Sequence, residues 1–161
     1  NMLTKAASYV SSALDDTVEN PNNFDAIAAG ALSLSSLNFR PDVLILNPSD
    51  AYALMITKDS TGRYILPTIT NGGQLNILGL EVITSNGVTK GEFVIAERGT
   101  FQVREGQAIL RSGYNDDDFA NNRRTFILEL FCLFFLPTNY TGSILKGNFA
   151  TIKEALKAPT A

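Results

Sequence analysis

The sequence predicts an α+β fold, and three observations carry that prediction. Apolar residues recur at helical spacing in the first quarter of the chain, short apolar runs bounded by turn residues follow, and a long run rich in Phe, Ile and Leu stands near the end. The chain has 161 residues, 45% of them apolar and 18% charged, enough for one ordinary domain or two small subdomains. Twelve Gly and six Pro are near the usual share, so the chain is neither collagen-like nor low in complexity.

Taken in order, Leu3, Ala6, Ala7, Val10 and Leu14 fall on one helical face and predict a first helix over 3–14. Residues 15–23 collect Asp, Asn, Glu and Pro and read as a loop. Phe24, Ile27, Ala28, Ala31, Leu34 and Leu37 predict a second helix, with Asn22 or Asn23 placed to accept from its first unpaired amides. Arg40-Pro41-Asp42 ends that unit, and Val43-Leu44-Ile45-Leu46 predicts a strand covered on both faces. Asn47 then caps a third helix with Pro48 at its first position and Asp50 in its first turn; Tyr52, Leu54, Met55 and Ile56 are its expected buried side, and Lys58 suits its end. Asp59-Ser60-Thr61-Gly62 closes it as a turn.

Residues 65–80, with Pro67, Asn71-Gly72-Gly73 and Gly79, read as a loop. Strands are expected over 80–84, 93–96, 101–104 and 108–111, separated by Asn86-Gly87, Arg98-Gly99 and Glu105-Gly106, and forming a mainly antiparallel sheet. Asp116-Asp117-Asp118 interrupts it. Residues 123–136 predict one long strand ended by Pro137, followed by a short strand over 143–146 and a tail helix near 152–157.

Composition excludes several chemistries. The net charge of −3, from 13 basic and 16 acidic side chains, lacks the basic footprint of electrostatic nucleic-acid binding. With no His, neither a Ser-His-Asp nor a Cys-His arrangement can form, and Cys132 alone cannot make an internal disulfide. The longest apolar run, 125–136, is interrupted by Glu129 and is shorter than the about 18 residues a bilayer span needs.

The remaining candidates are few. Asp116-Asp117-Asp118 lacks the alternating ligand spacing of a calcium loop and reads as a solvated turn or cap. Asn71-Gly72-Gly73 lacks the Gly-Lys-Ser/Thr of a phosphate loop. Cys132, in an apolar run, reads as a small core hydrophobe. Glu129 sits between Ile127-Leu128 and Leu130-Phe131, where an unpaired carboxylate is costly; an ion pair or a solvent-facing strand end explains it, and a proton acceptor completed by another subunit is the sharper alternative. The run 126–136 is apolar on both faces. Core burial is its default reading, and an assembly surface carrying Phe126, Leu128, Leu130 and Phe134 is the second.

The order of features resembles the major capsid proteins of tailed phages with the HK97 fold. The residues that carry the resemblance are Phe24-Asp25-Ala26-Ile27, Pro41-Asp42-Val43-Leu44-Ile45-Leu46-Asn47-Pro48-Ser49-Asp50, residues 54–58, Asp59-Ser60-Thr61-Gly62-Arg63-Tyr64, Leu78-Gly79-Leu80-Glu81-Val82, and Asp117-Asp118-Phe119 before the long strand. These correspond to the family's "LNP.D", "KD..GRY" and "WGLPVV" steps. Here the tryptophan and proline of the last are replaced, and Leu136-Pro137-Thr138 stands for the family's late Arg-Pro step. The resemblance runs from Phe24 to about Gly147.

It implies an HK97-like capsid fold. A mixed or antiparallel sheet flanked by helices forms an axial domain over 43–111, and 1–42 and 112–161 supply a peripheral domain with a long-stranded sheet. The family's N-terminal arm, extended hairpin and spine helix would precede residue 1, so the chain is expected to fold without closing a shell by itself. The implied function is a structural coat protein that tiles with copies of itself in five-fold and six-fold rings, with Asn71, Gly72 and Gly73 among the loop contacts. Other virion proteins are possible partners; no catalysis, cofactor, metal, membrane or sequence-specific nucleic acid is expected. The implied location is the virion, assembled in the bacterial cytoplasm. Some relatives form a lysine–asparagine cross-link assisted by a glutamate, and Asn122 and Glu129 stand at those two positions. Two alternatives are an encapsulin-like compartment shell and, from another class, a small carboxylate-dependent hydrolase using Glu129 and Asp116 to Asp118.

Overall fold

The computed structural model describes residues 2–59, 61–65 and 75–159. In chain order its elements are α1 (Met2–Lys5), β1 (Ala7–Ser8), α2 (Asn23–Ser36), β2 (Val43–Leu46), α3 (Pro48–Met55), β3 (Asn76–Ile77), β4 (Leu80–Thr84), β5 (Glu92–Ala96), β6 (Gln102–Glu105), β7 (Ile109–Gly113), β8 (Thr125–Glu129), β9 (Cys132–Phe135), β10 (Ile144–Asn148) and α4 (Phe149–Leu156). Six strands form one mixed sheet in the order β1-β10-β5-β2-β4-β3. The pairs β1 with β10 and β2 with β4 are parallel, and the other three are antiparallel.

Alternation along the central strands sorts side chains to two faces. Leu44, Leu46, Phe93, Ile95 and Leu145 meet α2, α3 and α4 in the main core, with Ile27 and Leu34 from α2, Leu54 from α3 and Ile152 and Leu156 from α4. Val94, Ala96 and Ile144 project to the opposite face, where Val88, Leu3, Ala6, Ile45, Phe101, Phe134 and Leu136 join them. Two glycines let the helical layer lie close. A Cβ on Gly30 of α2 would stand 3.1 Å from Ile95 and Phe93 side-chain atoms, and one on Gly147 of β10 would stand 2.5 Å from the Phe93 ring.

The other four strands leave the sheet as a two-stranded ribbon. β6 pairs with β9 and β7 with β8, all antiparallel. Residues 106–108 separate β6 from β7, while 130–131 separate β9 from β8, so the outgoing strand carries one more residue than the returning one. The Gly106 amide still donates to the Phe131 carbonyl at 2.7 Å, which places a bulge at 107–108.

Several elements differ from expectation. The helix predicted over 3–14 ends at Lys5. Ala7 and Ser8 instead pair with Leu145 and Lys146, because the edge of β10 needs a hydrogen-bonding partner and the following Tyr-Val-Ser-Ser segment is a poor helix former. Val10 is 86% exposed, having no core to join. In α3, Ala51 and Leu54 are buried, but Tyr52 and Ile56 face out, since a one-sided contact of eight residues cannot bury positions so far round the helix.

The expected run of antiparallel neighbours over 80–111 is broken twice. β2 inserts between β4 and β5, and β6 and β7 pair with β8 and β9 outside the sheet. The single long strand over 123–136 is split into β8 and β9 at Leu130 and Phe131, opposite the bulge, and the burial expected for it does not occur. Asn71-Gly72-Gly73 lies outside the described residues.

Candidate functional site

Among the described residues, the densest set of exposed large apolar side chains lies on the ribbon. Alternation puts Phe126 and Leu128 of β8 and Phe134 of β9 on one face, with Leu130 between the two strands at the same even spacing, Leu110 opposite Leu128 and Val103 opposite Phe134 on the partner strands. Phe126 is 63%, Leu128 70% and Leu130 51% exposed. At the ribbon's root Phe134 is half-buried against Phe101, ring centroids 5.7 Å apart. The apolar face is therefore continuous with the lower core of the sheet. The other face mixes Ile127, Leu133 and Phe135 with charge: Arg104 lies over the Phe135 ring at 5.8 Å, and Arg111 reaches Glu129 at 3.5 Å.

Two strands alone make a marginal ribbon in water, so its ends are pinned by local chemistry. At the tip, Asp118 accepts from the Asn115 amide at 2.9 Å and from the Thr125 hydroxyl, while Asp117 accepts from Asn121 Nδ2 at 2.7 Å. The Thr125 hydroxyl, then the Asn115 amide, hold the Asp118 carboxyl below its ordinary range, because both hydrogen bonds favour the charged form. Asp116 and Asn122 both take φ of 50°, a left-handed backbone that Asp and Asn tolerate better than most residues. The triple acid is thus a turn in which Asp117 and Asp118 accept hydrogen bonds from neighbouring side chains and from the Asn115 amide.

The motif residues 47–50 act as a staple. Asn47 Oδ1 accepts from the Ser49 amide at 3.1 Å and caps α3, while Asn47 Nδ2 donates to the Val88 carbonyl at 2.9 Å. Asp50 Oδ2 accepts from the Gly91 amide at 2.7 Å. One short stretch therefore starts a helix and ties it to the β4–β5 connection. Asp59 likewise organises the next turn, accepting from Thr61 Oγ1 at 2.7 Å and the Arg63 amide at 2.9 Å; these bonds hold its carboxyl below the ordinary range. Lys58 then bridges to Tyr64 and places its ammonium 4.9 Å from that ring's centroid.

The sequence model of the phage capsid family matches residues 2–131. The chain belongs to the phage capsid family. Its fold is shared with a structure from Mycobacterium phage Che8, at 16% identity and a TM-score of 0.63, covering 92% of this chain and 55% of that one. A structure from Mycobacterium phage Ogopogo aligns at 18% identity and a TM-score of 0.59, over 81% and 52% of the two chains. A virus-like particle from Pyrococcus furiosus aligns at 15% identity and a TM-score of 0.58, over 92% and 59%. The chain thus spans between half and three-fifths of the length of these structures. No curated protein matches it. The HK97-like α+β fold expected from residues 24–147 is the fold observed.

Placed on this capsid fold, the sequence candidates separate. Asn122 is in the tip turn; Glu129 ends β8, four residues past Thr125, about 13 Å along the strand. Nothing brings their side chains together within one chain. Glu129 is not the buried carboxylate that its flanking residues suggested: it is partly exposed, and its partner is Arg111 on β7. Cys132 is exposed on β9, opposite Glu105, and not a core residue. A concavity of about 390 Å³ beside the tip is lined by Arg111, Ser112, Gly113, Tyr114, Asn115, Thr125 and Ile127, so neither Glu129 nor the Asp cluster lines it. Among the described residues, this concavity does not bring Glu129 and Asp116 to Asp118 together. The tertiary staple made by Asn47 and Asp50 went unread in the sequence; an Asn-Pro-Ser-Asp cap announces a helix start but not what it is tied to.

Proposed function

We propose that this chain is a structural building block of a phage head shell and that subunits meet on the apolar face of the ribbon. The exposure of Phe126, Leu128 and Leu130 on a surface continuous with the lower core carries the reading: a contiguous apolar face of this kind is expected to be covered in the working protein. Copies of the same chain are the natural cover for a repeating shell. The capsid of an empty GTA particle, whose fold this chain shares at 14% identity and a TM-score of 0.55, is such an assembly. In this reading the six-stranded sheet with α2, α3 and α4 takes the axial part. The ribbon takes the peripheral part, which moves the expected boundaries from 42 and 111 to the ribbon's roots near 101 and 136. Five-fold and six-fold rings of axial lobes complete it. The protein is a virion component assembled in the host cell, without catalytic work.

Sedimentation of this chain over a concentration series tests the proposal. Self-association that Leu128→Glu abolishes, with the fold intact by circular dichroism, is the expected result; a monomer at every concentration overturns it. Glu129 is engaged by Arg111, so the reading needs no covalent link through Asn122. Chains from assembled shells of the full protein should run at monomer size after boiling in detergent.

A further inference from the structure

We infer that the hydroxyl pair of Thr100 and Ser143 sets the angle at which the ribbon leaves the sheet. The ribbon joins the body through two crossings, 97–101 outward and 136–143 on return. Thr100 and Ser143, 43 residues apart, belong one to each crossing, and their hydroxyl oxygens lie 2.6 Å apart. They are the buried polar side chains among the described residues, Thr100 at 6% and Ser143 at 0% exposure. Thr100 Oγ1 is also 2.8 Å from the Glu97 carbonyl and donates to it, so Ser143 must be the donor to Thr100. The Glu97 amide in turn donates to the Ser143 carbonyl at 3.2 Å, closing a loop of bonds between the crossings.

Charge holds the outward crossing from the other side. The Arg98 amide donates to Asp42 Oδ1 at 2.8 Å, the Arg98 guanidinium pairs with Glu81, and the Arg40 amide donates to Glu97 Oε2 at 3.1 Å. The outward crossing is therefore fastened to β4, to the segment entering β2 and to the return crossing. Beyond it, Phe101, Phe134 and Leu136 at the ribbon's root pack against the underside of the sheet. A buried donor left without its acceptor is costly, so the pair tolerates few alternative geometries and holds one angle. In a shell that angle would bear on curvature, a consequence that rests on the function proposed above; the angle itself does not.

The native Cys132 on the ribbon and Lys90→Cys on the sheet's β4–β5 connection give two spin-label positions for pulsed electron paramagnetic resonance. The otherwise unaltered chain should show one narrow distance peak. Ser143→Ala and the double variant Thr100→Val with Ser143→Ala should lose it, giving a broad or shifted distribution while the sheet still melts cooperatively; Thr100→Ser, which keeps a hydroxyl, should retain it. An unchanged narrow peak in a folded Ser143→Ala variant overturns the inference, as does a broad distribution before any root substitution. If neither root variant folds, hydrogen exchange in the unmutated chain decides: Thr100 and Ser143 amides should exchange as slowly as those of β5, and fast exchange there overturns it. A monomeric chain that nevertheless shows the narrow peak and its loss would sink the shell proposal and leave this one standing.

Discussion

Asp50 Oδ2 accepts a hydrogen bond from the Gly91 amide at 2.7 Å, across 41 residues of chain. The bond couples the first turn of α3 to the entrance of β5, and the same carboxylate meets the positive end of the helix. Asp50→Ala leaves the amide without its partner and should cost about 2 kcal/mol. Urea unfolding of the two chains measures it, and Asp50→Asn should recover part of the loss because its carbonyl oxygen can still accept.

Gly147 faces Phe93 and Ile152 so closely that a Cβ would stand 2.5 Å and 2.8 Å from their side-chain carbons. Phe93 also packs on Phe149, ring centroids 4.8 Å apart, so the ring has little room to retreat. Gly147→Ala should destabilise the chain by about 1–3 kcal/mol, the usual range for forcing bulk into a packed core. Gly99, with nothing near its missing Cβ, is the control, and its Ala variant should unfold close to the parent midpoint.

Leu78 and Gly79 join β3 to β4 in a two-residue turn with φ of 53° and 80°. Both positions are left-handed, a conformation Gly accepts and a leucine adopts at a cost of about 1–2 kcal/mol. Leu78 is also exposed, so little packing is lost on replacing it. Leu78→Asn should therefore raise stability by about 1 kcal/mol, read as a higher unfolding midpoint.

Asp118 is held below its ordinary range by the Thr125 hydroxyl and the Asn115 amide. A depressed folded value means stabilisation is fully present above the unfolded aspartate value of about 3.9 and fades as pH falls through the folded value. Protection of the Asn115 and Arg123 amides, taken relative to the intrinsic exchange rate at each pH, should thus hold at pH 5 and fall only in more acid solution. In Asp118→Asn the pH dependence should vanish, and a wild-type tip that loosens on alkalinisation would contradict the assignment.

Local chemistry was legible in the sequence wherever it acts over a few residues. The cap of α2 at Asn22, the Asn47-Pro48 start of α3, the buried strand over 43–46 and the Asp59 turn are all where side-chain donors, acceptors and Pro geometry place them. Periodicity misled at residues 3–14, where the helix stops at Lys5 and the exposed Ala7 and Ser8 pair with β10 instead. It misled again in α3, whose apolar Tyr52 and Ile56 had no second layer to enter.

The candidate site was half legible. Phe126, Leu128, Leu130 and Phe134 stand out as apolar residues at even spacing, which predicts a shared face but not whether that face is covered. Exposure depends on what packs against a strand, and no property of the strand itself reports that.

From its residues alone this protein's helix starts, turns, central strand and family pattern could be known, because each depends on neighbours within a few positions or on an ordered series of such motifs. Which strands pair was decided in three dimensions: β6 and β7 match β8 and β9 across loops, with a bulge absorbing the odd residue, instead of joining the sheet. That choice, made by long-range hydrogen bonding between β6 and β9 and between β7 and β8, turned an expected core strand into an outward-facing ribbon.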